Sequence, residues 1–103
     1  MKRRQIFTIA AALPLLIMGA TASFAYTGQQ YAKEAKIDLV YARRIALQAR
    51  SGVVTDQELE REHGGSGLRY SFDIKFRGEA FEIGIDAKTG RVLENSKEGR
   101  NPD

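Results

Sequence analysis

The sequence predicts an α+β fold in which one N-terminal helix packs on one face of a four-stranded antiparallel meander sheet. Three observations support this prediction. Apolar residues recur at helical spacing from Leu39 to Ala49. Apolar and charged or polar residues alternate from Leu68 to Arg77, which is typical of a strand with one buried face. Turn-forming residues separate the remaining apolar runs, around residues 63–67, 77–79 and 86–90.

The N-terminal segment predicts a secretory signal peptide over residues 1–25. Lys2-Arg3-Arg4 precedes an apolar run from Ile6 to Met18, and small residues lead to a cleavage site after Ala25. The run is shorter than the roughly 20 residues that span a bilayer, and Pro14 and Gly19 interrupt it. We therefore expect cleavage, export to the periplasm or beyond, and no stable membrane insertion of the mature chain.

Two alternatives remain open at this end of the chain. Ala20 and Ala22 offer a competing cleavage site. Arg3-Arg4 also has the outline of a twin-arginine signal, so the export route stays undecided between the general pathway and the twin-arginine pathway.

Composition excludes several classes of function. The chain has 16 basic and 13 acidic residues, and loss of Lys2, Arg3 and Arg4 with the signal would leave 13 of each. A nucleic-acid-binding domain needs a clustered surplus of basic residues, so we expect no nucleic-acid partner. The absence of cysteine excludes disulfides, thiolate metal sites and thiol chemistry. We assign no cofactor.

The predicted elements follow in chain order. Residues 26–36 are polar and mixed, and predict a flexible leader outside the core. Asp38 is the predicted N-cap of the helix, with Ile37 in the hydrophobic-staple position. Ser51-Gly52 is the predicted helix stop, because glycine is favoured just after a helix end.

Four strands are predicted after the helix. The first is Val53 to Glu62, and its apolar face consists of Val53, Thr55, Gln57 and Leu59. The second buries Leu68, Tyr70, Phe72, Ile74 and Phe76, the third buries Phe81, Ile83 and Ile85, and the fourth starts at Val92-Leu93. The opposite face, expected to lie in water, carries Arg69, Ser71, Asp73, Lys75, Arg77 and Glu82. Residues 96–103 are predicted to be a disordered tail.

The loop Asp86-Ala87-Lys88-Thr89-Gly90 has good hairpin chemistry. Asp86 can cap the turn with its own carboxylate, and Gly90 can adopt a positive φ without a Cβ clash. The chain resembles the PepSY domain family in the order of its features: a helix, an acidic run, a glycine-rich turn, an aromatic strand and the Asp-Ala-Lys-Thr-Gly loop. The predicted domain covers residues 37–95. Asp38 and Ser51-Gly52 depart from the family's usual Thr or Ser cap and Pro-Gly stop.

The resemblance implies an exported module that inhibits or otherwise regulates peptidases. It therefore implies a protein partner, with a peptidase as the candidate. No catalytic residues are carried over, because the family is not known to have any. The residues themselves leave the oligomeric state and the binding surface open.

The search for a chemical site yields one alternative function. Glu58, Glu60 and Glu62 precede His63, the only histidine, and could form a periplasmic metal- or ligand-sensing module. The competing interpretation is a charged edge strand that discourages aggregation, next to a solvated loop histidine. We favour the charged edge, and assign no metal ligand, cofactor-binding residue or catalytic residue.

Two further patterns have structural interpretations. The loop Gly64-Gly65-Ser66-Gly67 superficially suggests a phosphate cradle, but it connects two strands, whereas such cradles open a helix. A serine–histidine–carboxylate triad is improbable, because every serine would depend on His63 and none lies in a nucleophile elbow.

Overall fold

The computed structural model describes residues 25–99, which form one helix packed against a four-stranded antiparallel sheet. Strands follow the helix in the spatial order β1-β2-β3-β4. The bounds are 3₁₀ helix Gln29–Glu34, α1 Leu39–Ala49, β1 Val53–Arg61, β2 Leu68–Phe76, β3 Glu79–Asp86 and β4 Val92–Lys97. The predicted α+β meander is confirmed. The predicted signal peptide at residues 1–25 lies almost entirely outside the described residues.

Helix α1 begins where the sequence predicts it. The carboxylate of Asp38 accepts a hydrogen bond from the backbone N–H of Tyr41 at 2.9 Å, which satisfies one of the donors left free at a helix start. The helix ends at Ala49, two residues before the predicted stop at Ser51. Its buried residues Leu39, Ala42 and Ala46 lie on one stripe, and the two alanines allow a close approach to the sheet.

The core lies between α1 and one face of the sheet. Strand β2 is central: Phe72 pairs with Gln57 of β1 and with Ile83 of β3. The buried apolar residues are Leu39, Ala42, Ala46, Leu59, Leu68, Tyr70, Phe72, Ile74, Phe81, Ile83, Ile85 and Ala87. Phe76, predicted to be buried, is 37% exposed, because it lies at the end of β2.

Tyr70 joins the core to the start of the helix. Its hydroxyl donates a hydrogen bond to the carbonyl of Ile37 at 2.8 Å. Burial, with smaller contributions from Tyr26 and Asp38, raises the pKa of Tyr70 to about 12. The phenol therefore remains a neutral hydrogen-bond donor at physiological pH.

The predicted apolar face of β1 is wrong at its first residues. The register is interrupted between Val54 and Asp56, so Thr55 is an extra residue that faces no partner on β2. Such a bulge moves the preceding residues to the other side of the strand. Val54 consequently packs against the core, while Val53 is 67% exposed and Thr55 is exposed.

The segment before α1 has more structure than the flexible leader expected for residues 26–36. Gln29–Glu34 form a 3₁₀ helix, and Thr27 forms a parallel bridge with Glu58 of β1. The amide of Leu59 donates to the carbonyl of Thr27 at 2.8 Å. Tyr26 and Tyr31 pack against the core, which explains how a polar segment attaches to the domain.

Strand β4 continues further than the predicted domain. It reaches Lys97, so Ser96 and Lys97 of the expected disordered tail pair with β3, while residues 100–103 lie outside the described part of the chain. No helix in residues 25–99 is long and apolar enough to cross a membrane.

Candidate functional site on the outer face and open edge of the sheet

The sheet face turned away from α1, which we call the outer face, carries the charged residues of the strands. Strand alternation places on it Asp56, Glu58, Glu60, Arg69, Ser71, Asp73, Lys75, Ala80, Glu82, Gly84, Asp86, Glu94, Ser96 and Glu98. No described helix packs on this face, because α1 contributes its buried residues to the core on the other side.

The centre of the outer face is less exposed to water than the sequence predicts. Arg69 is only 9% exposed and Ser71 only 6%. The guanidinium of Arg69 lies over Gly84, where a Cβ would come within 2.8 Å of Nη1, and it forms a salt bridge of 3.1 Å with Glu94. The hydroxyl of Ser71 donates to Glu60 at 2.7 Å. A missing side chain at Gly84 therefore allows an arginine to lie flat on the sheet.

A row of carboxylates crosses the outer face. Asp73 of β2 lies directly opposite Asp56 on one side and Glu82 on the other. Carboxylate oxygens of Asp73, Glu82 and Glu98 lie within 4.8 Å of one another. Like charges in directly opposite strand positions destabilise a sheet. The row is consequently an unfavourable electrostatic arrangement in the isolated domain.

The row changes the acidity of its members. Burial, followed by the charges of Glu98 and Asp56, raises the pKa of Asp73. Burial, followed by Glu94 and Asp73, raises the pKa of Glu82. The pKa of Glu58 is also raised, by burial first and then by the charges of Glu60 and Asp56. Each of these groups binds its proton more tightly than an isolated carboxyl group.

Asp86 at one end of the outer face has the opposite environment. Its side chain is 1% exposed and accepts bonds from Ser66 N at 2.6 Å, Ser66 Oγ at 2.9 Å, Lys88 N at 2.8 Å and Thr89 N at 3.1 Å. Burial alone would raise the pKa of Asp86, but these hydrogen bonds together lower it below 3.8.

The predicted turn cap at Asp86 is thus confirmed, and Gly90 has the predicted positive φ, at 84°. The sequence did not indicate the bonds from Ser66. They show that the glycine-rich loop does hold an anion, the carboxylate of Asp86, which joins the β1–β2 and β3–β4 loops. The available signal was the pair of glycines before Ser66; at Gly65 a Cβ would collide with the carboxylate of Asp86.

The residues considered for metal sensing do not form a compact ligand set. Glu58 and Glu60 lie on the outer face, while Glu62 and His63 are exposed in the following turn. Within residues 25–99, the one group of three candidate ligands with atoms within 4.8 Å is Asp73, Glu82 and Glu98. Sequence reasoning did not find this group, because its members come from β2, β3 and the end of β4.

The described residues do not bring a serine hydroxyl to the histidine, as a serine–histidine–carboxylate triad would require. The hydroxyl of Ser66 binds Asp86, whereas the side chain of His63 is exposed and contacts no serine hydroxyl. A cavity of about 640 Å³ is lined by the end of the β2–β3 hairpin and by residues Lys97 to Gly99. Its charged side chains are Glu79, Lys97 and Glu98, with Glu79 and Lys97 in a 2.9 Å salt bridge.

The two edges of the sheet differ in accessibility. Thr27 pairs with β1 at Glu58, so part of that edge is already covered. No described segment pairs with the far side of β4. The amide of Glu98 donates to Ala80 of β3, and bonds alternate along an antiparallel pair. The backbone groups of Asn95 and Lys97 therefore point away from β3, toward the open edge.

Comparison with known proteins gives one match. The family model described as "Peptidase propeptide and YPEB domain", or PepSY, matches residues 36–95, more than half of the 103-residue chain. The matched region contains α1, β1, β2, β3 and most of β4. No curated protein and no solved structure matches the chain.

Proposed function

Because this chain belongs to the PepSY family of peptidase propeptide and YPEB domains, we propose that it is an exported, non-enzymatic binding module that regulates or inhibits peptidases in the periplasm or cell envelope. Domains of this family are propeptide-like or inhibitor-like modules and are generally non-catalytic. They typically occur in exported proteins. The match over residues 36–95 is the observation that carries the proposal.

The open β4 edge supplies a physical means of binding. A peptide of the partner that adds to the sheet beside β4 would pair with the outward backbone groups of Asn95 and Lys97. Strand addition depends on main-chain hydrogen bonds and needs no special side chain. This mode agrees with a domain in which no described serine hydroxyl is bonded to the histidine.

The proposal includes the processing of the chain. Residues 1–25 would be removed as a signal peptide, residues 26–36 would dock against β1, and residues 37–95 would form the functional domain. Mass spectrometry of the protein recovered from the periplasm should find a chain that starts at Tyr26. Recovery of the intact chain from the cytoplasm would contradict export.

Inhibition measurements test the function directly. The purified protein is titrated into the metallopeptidases exported by the same cells, with cleavage of a fluorogenic peptide as the readout. We expect inhibition or binding at micromolar concentrations or below. Absence of both against every exported peptidase at those concentrations would contradict a peptidase partner.

One pair of variants tests the β4 edge. Lys97→Pro removes the outward N–H at that position and should weaken binding of the partner at least tenfold. Lys97→Ala keeps the N–H, and removes the same side chain and its salt bridge with Glu79. Equal affinities of the two variants would exclude strand addition at β4.

The alternative of metal or ligand sensing has less support. Glu58, Glu60, Glu62 and His63 do not converge on a common point, and the carboxylate of Glu60 already accepts the hydroxyl of Ser71. We therefore keep peptidase regulation as the proposed function.

A further inference from the structure

The outer face carries a large excess of negative charge. Its acidic residues, apart from Asp86, are Asp56, Glu58, Glu60, Asp73, Glu82, Glu94 and Glu98. Among residues 25–99, strand alternation places Arg69 and Lys75 as the basic residues of this face, and Arg69 is already paired with Glu94. The chain from residue 26 onward has equal numbers of acidic and basic residues, so its charges are segregated between surfaces. A segregated field of this kind attracts oppositely charged partners.

Within residues 25–99, no salt bridge neutralises the centre of the row. Asp73, Glu82 and Glu98 form none of the described salt bridges. Their crowding is unfavourable in the isolated domain, and the raised pKa values of Asp73 and Glu82 agree with that. A cation placed between them would relieve the repulsion.

A second feature lies beside the row. Arg69 is nine-tenths buried, and its Nε has no hydrogen-bond partner in the described part of the chain. Buried donors are nearly always satisfied in folded proteins. Because Nε has almost no contact with solvent, a carbonyl of a docked polypeptide could reach it only after Arg69 moves, so the surplus carboxylates are the groups that a partner meets first.

We propose that the outer face is a docking surface for a lysine- or arginine-rich segment of a protein partner. The carboxylates are spread over four strands that lie about 4.8 Å apart, a wider area than one metal ion can coordinate. Successive cations along an extended or helical segment match such spacing. The inference rests on the proposed function only in that the chain binds a protein, and it adds the surface and the chemistry of the partner.

A synthetic peptide tests the surface without any peptidase. The probe is a labelled 12-residue peptide of alternating lysine and serine, and the comparison peptide has glutamate in place of lysine. Binding to the purified chain is measured by fluorescence anisotropy at about 50 mM salt, where screening is moderate. We expect the lysine peptide to bind and the glutamate peptide to bind at least tenfold more weakly.

Two charge-matched double variants locate the binding. Asp73→Asn with Glu82→Gln removes two charges from the outer face, whereas Glu34→Gln with Glu79→Gln removes two charges elsewhere. We expect the first pair to weaken peptide binding at least tenfold and the second pair to weaken it less than twofold. Denaturant melts of both pairs check that each is folded.

Three outcomes would overturn the inference: no binding of the lysine peptide, equal losses for the two double variants, or displacement of the peptide by stoichiometric calcium or zinc ions. The last outcome would identify the Asp73, Glu82 and Glu98 group as a metal site. Because the probe contains no peptidase, a negative result with the peptide does not test peptidase inhibition. In the same way, a failed inhibition measurement does not test the outer face as a docking surface.

Discussion

Two regions of the outer face contain carboxylates in opposite situations. Asp86 is buried at one end and accepts four hydrogen bonds from two loops, and its pKa is lowered. Asp73 lies in the middle, opposite Asp56 and Glu82, and its pKa is raised. The fold stabilises the charge of Asp86 and destabilises the charge of Asp73.

The difference separates structural from functional candidates. A carboxylate that satisfies loop amides has a sufficient role in folding. A row of carboxylates that repel one another has no such role among the described contacts, and a nearby cation would relieve its repulsion. Substitutions in the two regions should therefore change stability by different amounts and in opposite directions.

Replacing the structural carboxylate should have the largest effect. Asp86→Ala removes the charged acceptor of four hydrogen bonds. Some of the four donors can then bond to water instead, so we expect a loss of about 3–4 kcal/mol in the free energy of unfolding. Asp38→Ala, which removes a single helix-capping bond, should cost about 1 kcal/mol. Urea denaturation measures both. Similar losses would mean that Asp86 does not join the two loops.

The partner loop of Asp86 should be sensitive to size at one glycine. Gly65 and Gly67 both have positive φ, at 56° and 95°, but only at Gly65 would a Cβ meet Asp86 and Leu93. We expect Gly65→Ala to cost about 3 kcal/mol, and Gly67→Ala about 1–2 kcal/mol from backbone strain alone. A Gly67→Ala variant less stable than Gly65→Ala in urea denaturation would contradict this account of the loop.

The Asp86 loop itself provides the next test. Gly90 has a φ of 84°, and a Cβ there would lie 3.4 Å from Ile45 Cδ1. Gly90→Val places a β-branched side chain in that conformation and should cost about 1–3 kcal/mol. Lys88→Ala, at the exposed tip of the same loop, should change stability by less than about 0.5 kcal/mol. Equal denaturation midpoints for Gly90→Val and wild type would contradict the role of Gly90.

Patterns that repeat along the chain allowed much of the fold to be predicted. Some features depend on residues close in sequence and could therefore be predicted: the alternation in β2 and β3, the Asp38 cap and the Asp86–Gly90 turn. The bulge at Thr55 could not be predicted, because it depends on how β1 pairs with β2. The docking of residues 26–34 was missed for a similar reason: the contact of Thr27 with Glu58 spans the whole helix.

The candidate site was harder to predict than the fold. The strand pattern placed Asp73 and Glu82 on the outer face, but their position opposite each other depends on the β2–β3 register. Glu98 joins them only because β4 extends to Lys97, beyond the predicted start at Val92-Leu93. The bond from Ser66 to Asp86 crosses 20 residues, and the glycines before Ser66 do not identify Asp86 as its acceptor.

The smallest expected effect is a gain of stability in the carboxylate row. The pKa of Asp73 is raised in the folded protein, so the group's contribution to stability is fully present below its unfolded pKa of 3.8 and is lost as the pH rises through the higher folded value. At neutral pH, Asp73→Asn should therefore stabilise the domain by about 0.5 kcal/mol, the size of a cross-strand pair. Below the unfolded pKa the aspartate is protonated in both states, and the gain should disappear.

Urea denaturation of both proteins at about pH 7 and about pH 3 measures this difference. Asp86 affects wild type and the Asp73→Asn variant equally. Because its pKa is lowered in the folded protein, its contribution to stability is present above pH 3.8 and is lost in acid. Both proteins should therefore be less stable at about pH 3, and the difference between their free energies of unfolding should disappear. Glu79→Gln is the control, because Glu79 is exposed and paired with Lys97 away from the row, and it should give no gain at either pH. If Asp73→Asn instead destabilised the domain at neutral pH, Asp73 would have a folding role like that of Asp86. The distinction between the two regions, and with it the argument that the row awaits a cationic partner, would then be wrong.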